Sequence, residues 1–104
     1  MQTITAIQLK CQLDVGAVHL LDVRTAEELE LVSIAGALHI PLHELPARHT
    51  ELPRDKPLAV LCHHGVRSET AARFLDKAGF TNPLTVAGGI EAYALDVDPT
   101  LPRY

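Results

Sequence analysis

Cysteine is scarce in this chain. Cys11 and Cys62 are the only two, and they stand far apart. That excludes a disulfide-stapled scaffold and a CxxC framework. No apolar run is long enough for a membrane span. The opening "MQTITAIQLK" lacks the basic stretch, apolar block and small-residue cleavage site of a secretory leader. A reducing, cytoplasmic setting is therefore the expectation. Basic residues are outnumbered, nine Lys and Arg against thirteen Asp and Glu, for a formal charge of −4. They are scattered, so the basic patch needed to hold nucleic acid or an anionic membrane is missing. Repeats and low-complexity tracts are absent too. What remains is an ordinary globular composition: 104 residues, 47% hydrophobic and 21% charged. That suffices for one core, and a single domain over 1–104 is expected.

Hydrophobic patterning predicts alternating strands and helices. After a short extended start, Thr5 and Gln8 form a capping box. Ile7, Cys11 and Leu13 then read as the apolar face of a helix that Gly16 stops, with Cys11 packed in the core. "AVHLLDV" from Ala17 reads as a buried strand. Thr25 and Glu28 form a second capping box, and the charges of "TAEELE" read as a solvated helix face. "GALHIPL" is a brief strand. "HELPARHTELPRDKP" holds three prolines and allows only a short helix. "PLAVLC" is the next buried strand. A helix from Val66 to Ala78 buries Ala71, Phe74, Leu75 and Ala78 before Gly79 ends it. "NPLTVAGG" supplies the last strand, with Gly88 and Gly89 at a tight turn. "IEAYAL" is a short helix, and 94–104 is an irregular tail interrupted by Pro99 and Pro102. Strands of four to seven residues alternating with helices predict an α/β fold, a small and mainly parallel sheet with helices on both faces.

In such sheets sites collect at the carboxyl ends of strands. "LAVLCHHGVRS" places Cys62 at one such end, directly before a helix. A thiolate is the reactive form of cysteine, and a helix N-terminus or a neighbouring cation favours it. Gly65 allows a turn tight enough to aim several backbone N–H groups at one point. Arg67 is a permanent cation able to bind an oxyanion in bidentate fashion. Four residues separate Cys62 from Arg67, one fewer than in cysteine phosphatases. The smaller cradle suits a single sulfur atom carried on cysteine better than a phosphoryl group.

These residues resemble a family. "LLDVRTAEELELVSIAGALHIPL" is similar to the N-terminal motif of rhodanese domains, "CHHGVRS" to their active-site loop, and "GFTNPLTVAGGIEAY" to the segment that closes their fold. The tail "DVDPTLPRY" resembles the ending of some single-domain bacterial members. The resemblance runs from about Ile4 to Tyr104, and the order and spacing of the motifs make it specific. Two departures stand out: Ser33 and Ala35 replace a histidine and a proline of the usual motif, and Tyr93 replaces a common tryptophan.

The resemblance implies sulfane-sulfur transfer from thiosulfate or a similar donor to a thiophilic acceptor, cyanide or a thiol. Cys62 would be the nucleophile and sulfur carrier. His63, His64, Gly65, Val66, Arg67 and Ser68 would form the loop, with backbone N–H groups of 63–68 holding a persulfide anion. Arg67 would orient the donor's oxyanion or fix the loop. The alternatives are a persulfide carrier that docks to a partner protein and a non-enzymatic binding or regulatory module. The partners implied are a small-molecule sulfur donor, an acceptor, and in the carrier reading a protein that accepts the persulfide. A monomer is expected, and no cofactor is called for.

Other candidates carry plainer readings. His63 and His64 suggest a metal site with Cys62, but adjacent residues rarely share one ion and no further ligand is spaced to complete it, so no metal is expected. They read instead as partial positive charge near the thiolate or as solvated loop residues. Asp22 and Arg24 end a strand on the site's face. They either support the loop from behind or form a structural ion pair, for example Arg24 with Glu28. Ser68 either caps the helix or bonds the sulfur. His19, His39, His43 and His49 share no spacing and read as structural or exposed.

Overall fold

Both capping boxes form, and each starts a helix. In the computed structural model, which describes residues 2–104, Thr5 and Gln8 exchange side chain–backbone hydrogen bonds at the head of α1 (Ala6–Asp14). Thr25 and Glu28 do the same at the head of α2 (Ala26–Leu31). The other helices are α3 (Leu45–Arg48), α4 (Val66–Lys77) and α5 (Gly89–Asp96). The strands are β1 (Gln2–Ile4), β2 (His19–Asp22), β3 (Leu38–His39), β4 (Leu58–Leu61) and β5 (Leu84–Val86). They form one sheet in the order β1-β5-β4-β2-β3, and every pairing is parallel. The predicted α/β architecture is therefore correct, and the sheet is wholly parallel. Three strands have only two or three residues, shorter than the four to seven expected. The chain crosses this thin sheet in few steps.

Side-chain alternation along the strands divides the core in two. Leu20, Ala59, Leu61, Leu84 and Val86 pack with Leu9 of α1 and with Ile90 and Tyr93 of α5. Leu21, Val23, Leu58, Val60 and Cys62 pack with Leu45 of α3 and with Ala71, Ala72 and Leu75 of α4. Leu21, Ala59, Val60 and Leu61 have no exposed surface, as near-continuous apolar strands between two helical layers require. No helix among the described residues is long and apolar enough to cross a membrane.

Three readings of the elements need correction. Cys11 is exposed and Ile7 is 57% exposed, so neither packs in the core. α1 presents Ala6 and Leu9 instead, with Leu13 partly buried against the same cluster. That face, at spacing 6, 9, 13, is as apolar as the one at 7, 11, and contact with the sheet and α5 decided between them. On α4 Ala71, Ala72 and Leu75 are buried, while Phe74 and Ala78 lie at the margin of the core. Finally, α5 extends to Asp96, so 94–96 are helical and the irregular tail begins at Val97.

Candidate functional site

Parallel β2 and β4 are neighbours, with Asp22 opposite Leu61. This brings the two carboxyl-end motifs together. The chain leaves β4 at Leu61, and Cys62 follows with only 1% of its surface exposed. Gly65 then turns the backbone at φ +117° into the first residue of α4. Its N–H donates to Cys62 Sγ at 2.9 Å, the kind of contact that holds a charged sulfur. Ser68, fully buried, donates from Oγ to the Gly65 carbonyl at 2.9 Å. It neither caps α4 nor bonds the sulfur. Buried at the foot of the turn, its hydroxyl finds the loop carbonyl as its partner. Val66 is 78% exposed, an apolar side chain standing beside the loop.

The far side of the loop is held by backbone alone. Ile90 N–H donates to the Cys62 carbonyl at 2.8 Å, and Glu91 N–H to the His63 carbonyl at 3.2 Å. The start of α5 thus clamps the loop from behind. A Cβ at position 89 would collide with both carbonyl oxygens, and Gly89 sits at φ +59°. Gly89 therefore does more than permit a turn: its missing side chain is the space in which two backbones meet.

The near side is held by charge. Arg67 donates from Nη1 and Nη2 to Glu28 Oε1 and Oε2, at 2.5 and 2.9 Å. Glu28 Oε1 also closes the capping box by accepting from Thr25 N–H at 3.2 Å, and Oε2 accepts the Tyr104 hydroxyl at 2.5 Å. These contacts, Arg67 foremost, hold the Glu28 carboxyl well below the usual carboxylate range. In return Glu28 raises Arg67 above its ordinary value. The reading of "TAEELE" as a merely solvated face is thus corrected at Glu28. A capping glutamate has a second oxygen, and here the fold brings a guanidinium to it.

Beneath this pair lies another. Asp22 and Arg24 are both fully buried. Arg24 Nη2 donates to Asp22 Oδ2 at 2.7 Å, and Nε lies 3.0 and 3.1 Å from the two carboxylate oxygens. Further donations reach the Val32 carbonyl at 2.9 Å and the Tyr104 hydroxyl at 2.9 Å. The ion pair expected between Arg24 and Glu28 is not made: Arg24 reaches only the Glu28 backbone carbonyl, at 3.4 Å. Asp22, two residues away in an extended segment, already offers both oxygens.

The tail completes the site. His63 is stacked between His64 and Tyr104, each ring centroid 3.8 Å away. Burial, followed by the proximity of His64, lowers the His63 pKa. This weakens its reading as a source of positive charge near the sulfur. His63 Nε2 has no hydrogen-bond partner, and Glu91 Oε2 lies 4.0 Å from it. The fold therefore brings a carboxylate to the two histidines that sequence spacing did not supply: ligand atoms of His63, His64 and Glu91 all lie within 4.8 Å of one another. The imidazoles, however, are stacked face to face, and Glu91 accepts from Arg103 Nε at 2.7 Å. Among the other histidines, His39 donates from Nε2 to the Arg24 carbonyl at 2.7 Å, and His49 packs edge-on against Phe74. Glu28, Gly89, Glu91 and Tyr104 are the site residues that sequence reasoning missed. Their signals were a capping box and a suggested pairing with Arg24 for Glu28, a Gly-Gly pair for Gly89, and the family-like segments in which all four lie.

Known proteins similar to this chain share its fold. The family model described as "Rhodanese-like domain" matches residues 5–96. The chain is 42% identical over 74 residues to a putative sulfur carrier protein of Bacillus subtilis, covering 71% of this chain and 40% of that protein. It is 37% identical over 81 residues to a sulfurtransferase of Allochromatium vinosum, covering 78% and 76%. It also superimposes on a rhodanese-related protein from Thermoplasma volcanium with a TM-score of 0.84, at 37% identity over 98% of this chain and 96% of that one. The chain spans 40% of the length of the Bacillus relative and 30% of a rhodanese-like/PpiC domain-containing protein of Arabidopsis thaliana. With the family model matching residues 5–96 and the Allochromatium relative covered over most of both lengths, the chain belongs to the rhodanese-like domain family.

Proposed function

We propose that this chain transfers sulfane sulfur from thiosulfate or a similar donor to a thiophilic acceptor, through a persulfide on Cys62. In the first half-reaction the Cys62 thiolate attacks the outer sulfur of the donor. The donor's S–S bond breaks, its electron pair leaves with sulfite, and Cys62 keeps the sulfur as a persulfide anion. In the second, cyanide or a thiol attacks that terminal sulfur and regenerates the thiolate. The observation that carries this reading is the Gly65 N–H donated to Cys62 Sγ at 2.9 Å, in a loop whose carbonyls are clamped from behind by Ile90 and Glu91. The pairing of Arg67 with Glu28 favours the second of its two anticipated roles, fixing the loop. Asp22 and Arg24 act as the buried footing, and His63, His64 and Val66 form the approach to the sulfur.

The test is intact-protein mass spectrometry of the reduced chain before and after thiosulfate. Addition of one sulfur, removed again by cyanide and absent in Cys62→Ser, is the expected result. A folded protein with a free Cys62 that takes up no sulfur from thiosulfate or from any persulfide would defeat the proposal. The carrier reading keeps the same nucleophile and passes the sulfur to a protein. It draws support from the exposed Val66 beside the loop and from the sulfur carrier name of the Bacillus relative. Rapid loading of Cys62 with slow release to cyanide, at a kcat/KM below the roughly 10⁴ M⁻¹s⁻¹ of ordinary enzymes, would favour it.

A further inference from the structure

We propose that Glu28 is a specificity-determining residue: by occupying Arg67 it withdraws the loop's guanidinium from donor binding, so that thiosulfate still loads Cys62 but hydropersulfide donors load it faster than such small dianions do. This rests on the persulfide chemistry of Cys62 proposed above.

The sequence alone makes the loop look cationic, with an arginine and two histidines around the sulfur. The structure removes most of that charge. Arg67 has both terminal nitrogens on Glu28, although its side chain keeps 34% of its surface exposed. It stands in the first turn of α4, five residues after Cys62, where the loop enters the helix. Arg24 is matched by Asp22, and Arg103 by Glu91. A dianion reaching Cys62 therefore meets cations that are each already paired with a carboxylate. To gain a bidentate contact from Arg67 it would have to displace Glu28.

Glu28 is not easily displaced. Thr25 N–H holds one oxygen at 3.2 Å and the Tyr104 hydroxyl holds the other at 2.5 Å. Tyr104 is itself tied by Arg24 Nη1 at 2.9 Å and by its stack on His63. Glu28 thus lies between a helix cap and the tail, with Arg67 as its third partner.

A hydropersulfide R–S–SH needs no such cation. The Cys62 thiolate attacks its terminal sulfur, the donor's S–S bond breaks, and its electron pair leaves as the thiolate R–S⁻. The transferred sulfur keeps its proton, giving Cys62–S–SH, so atoms and charge balance. No divalent leaving group has to be stabilised.

The experiment measures the rate of persulfide formation on Cys62 by intact mass, with thiosulfate and with the hydropersulfide of 2-mercaptoethanol. Wild type, Glu28→Gln, Arg67→Ala and the double variant are compared. In Glu28→Gln the ratio of thiosulfate to hydropersulfide loading rises about tenfold, as release of one cation beside the target implies, and the thiosulfate rate becomes more sensitive to salt. The double variant loses that rise, and Arg67→Ala alone changes the ratio by less than about threefold. Should Glu28→Gln fail to fold, Glu28→Asp serves. It keeps the charge but falls short of the two-point contact, and a smaller rise in the same ratio is expected. An unchanged ratio in a folded variant, or a rise that persists without Arg67, overturns the specificity role while leaving the persulfide chemistry intact. Absence of loading from both donors in the wild type defeats that chemistry and this inference with it.

Discussion

The two sides of the Cys62 loop are held by different means. Behind it, α5 holds the loop through backbone hydrogen bonds: the N–H groups of Ile90 and Glu91 on the carbonyls of Cys62 and His63, at a separation that only glycine at 89 allows. In front, the loop is held by side chains from distant parts of the sequence, Glu28 on α2 and Tyr104 at the end of the tail. A backbone clamp has one geometry and little freedom. A side-chain network can exchange partners while the fold stays unchanged. The rear fixes the position of Cys62 through backbone, and the front surrounds it with paired charges.

The largest effect is expected from breaking the rear. Gly89→Ala puts a methyl group against two carbonyl oxygens at a positive φ. Strain and overpacking together cost about 4 kcal/mol, read as a drop in denaturant midpoint, and sulfur loading of Cys62 falls with the displaced loop. A cost of a few tenths would mean that the clamp yields easily and that the contrast between the two sides is wrong. Next is the buried footing of the front. Asp22→Ala leaves the Arg24 guanidinium without its carboxylate in a fully buried place, at a cost of about 3 kcal/mol. Unfolding curves of Asp22→Ala and Asp22→Asn separate the lost charge from the lost shape.

The smallest effect belongs to the front itself. Arg67→Ala removes an ion pair that is partly solvated, so the loss of stability is about 1 kcal/mol or less. Its signature is in acid. Arg67 holds the Glu28 carboxyl below its ordinary value of 4.5, so on acidification the unfolded chain takes up that proton first. The pair's contribution is whole above about pH 4.5 and declines as pH falls below it. Wild type therefore loses stability faster than Arg67→Ala below that pH, and the two curves converge. Parallel curves in acid would show that Glu28 keeps its charge without Arg67.

What was legible in the sequence was local. Thr5 with Gln8 and Thr25 with Glu28 start helices because a cap and its partner lie three residues apart. "LAVLC" is a buried strand because every one of its residues is apolar, and Gly65 marks the turn that aims an N–H at Cys62. The family resemblance added the order of the elements. The face of α1 was misjudged because two apolar stripes compete there and local spacing does not rank them. Glu28 was misread because its capping role accounted for it fully at short range.

Taken by itself, the sequence determined the parallel α/β architecture, the position of the thiol at the carboxyl end of β4 and the turn that follows it. Periodicity, caps and glycines act over a few residues, and each is written in the chain where it operates. Only the tertiary structure decided the electrical character of the site. Glu28 lies 39 residues from Arg67 and 76 from Tyr104, and nothing in their neighbourhoods links them. Parallel crossovers bring those segments to one end of the sheet, and there Coulomb attraction and hydrogen bonding pair them by proximity in space.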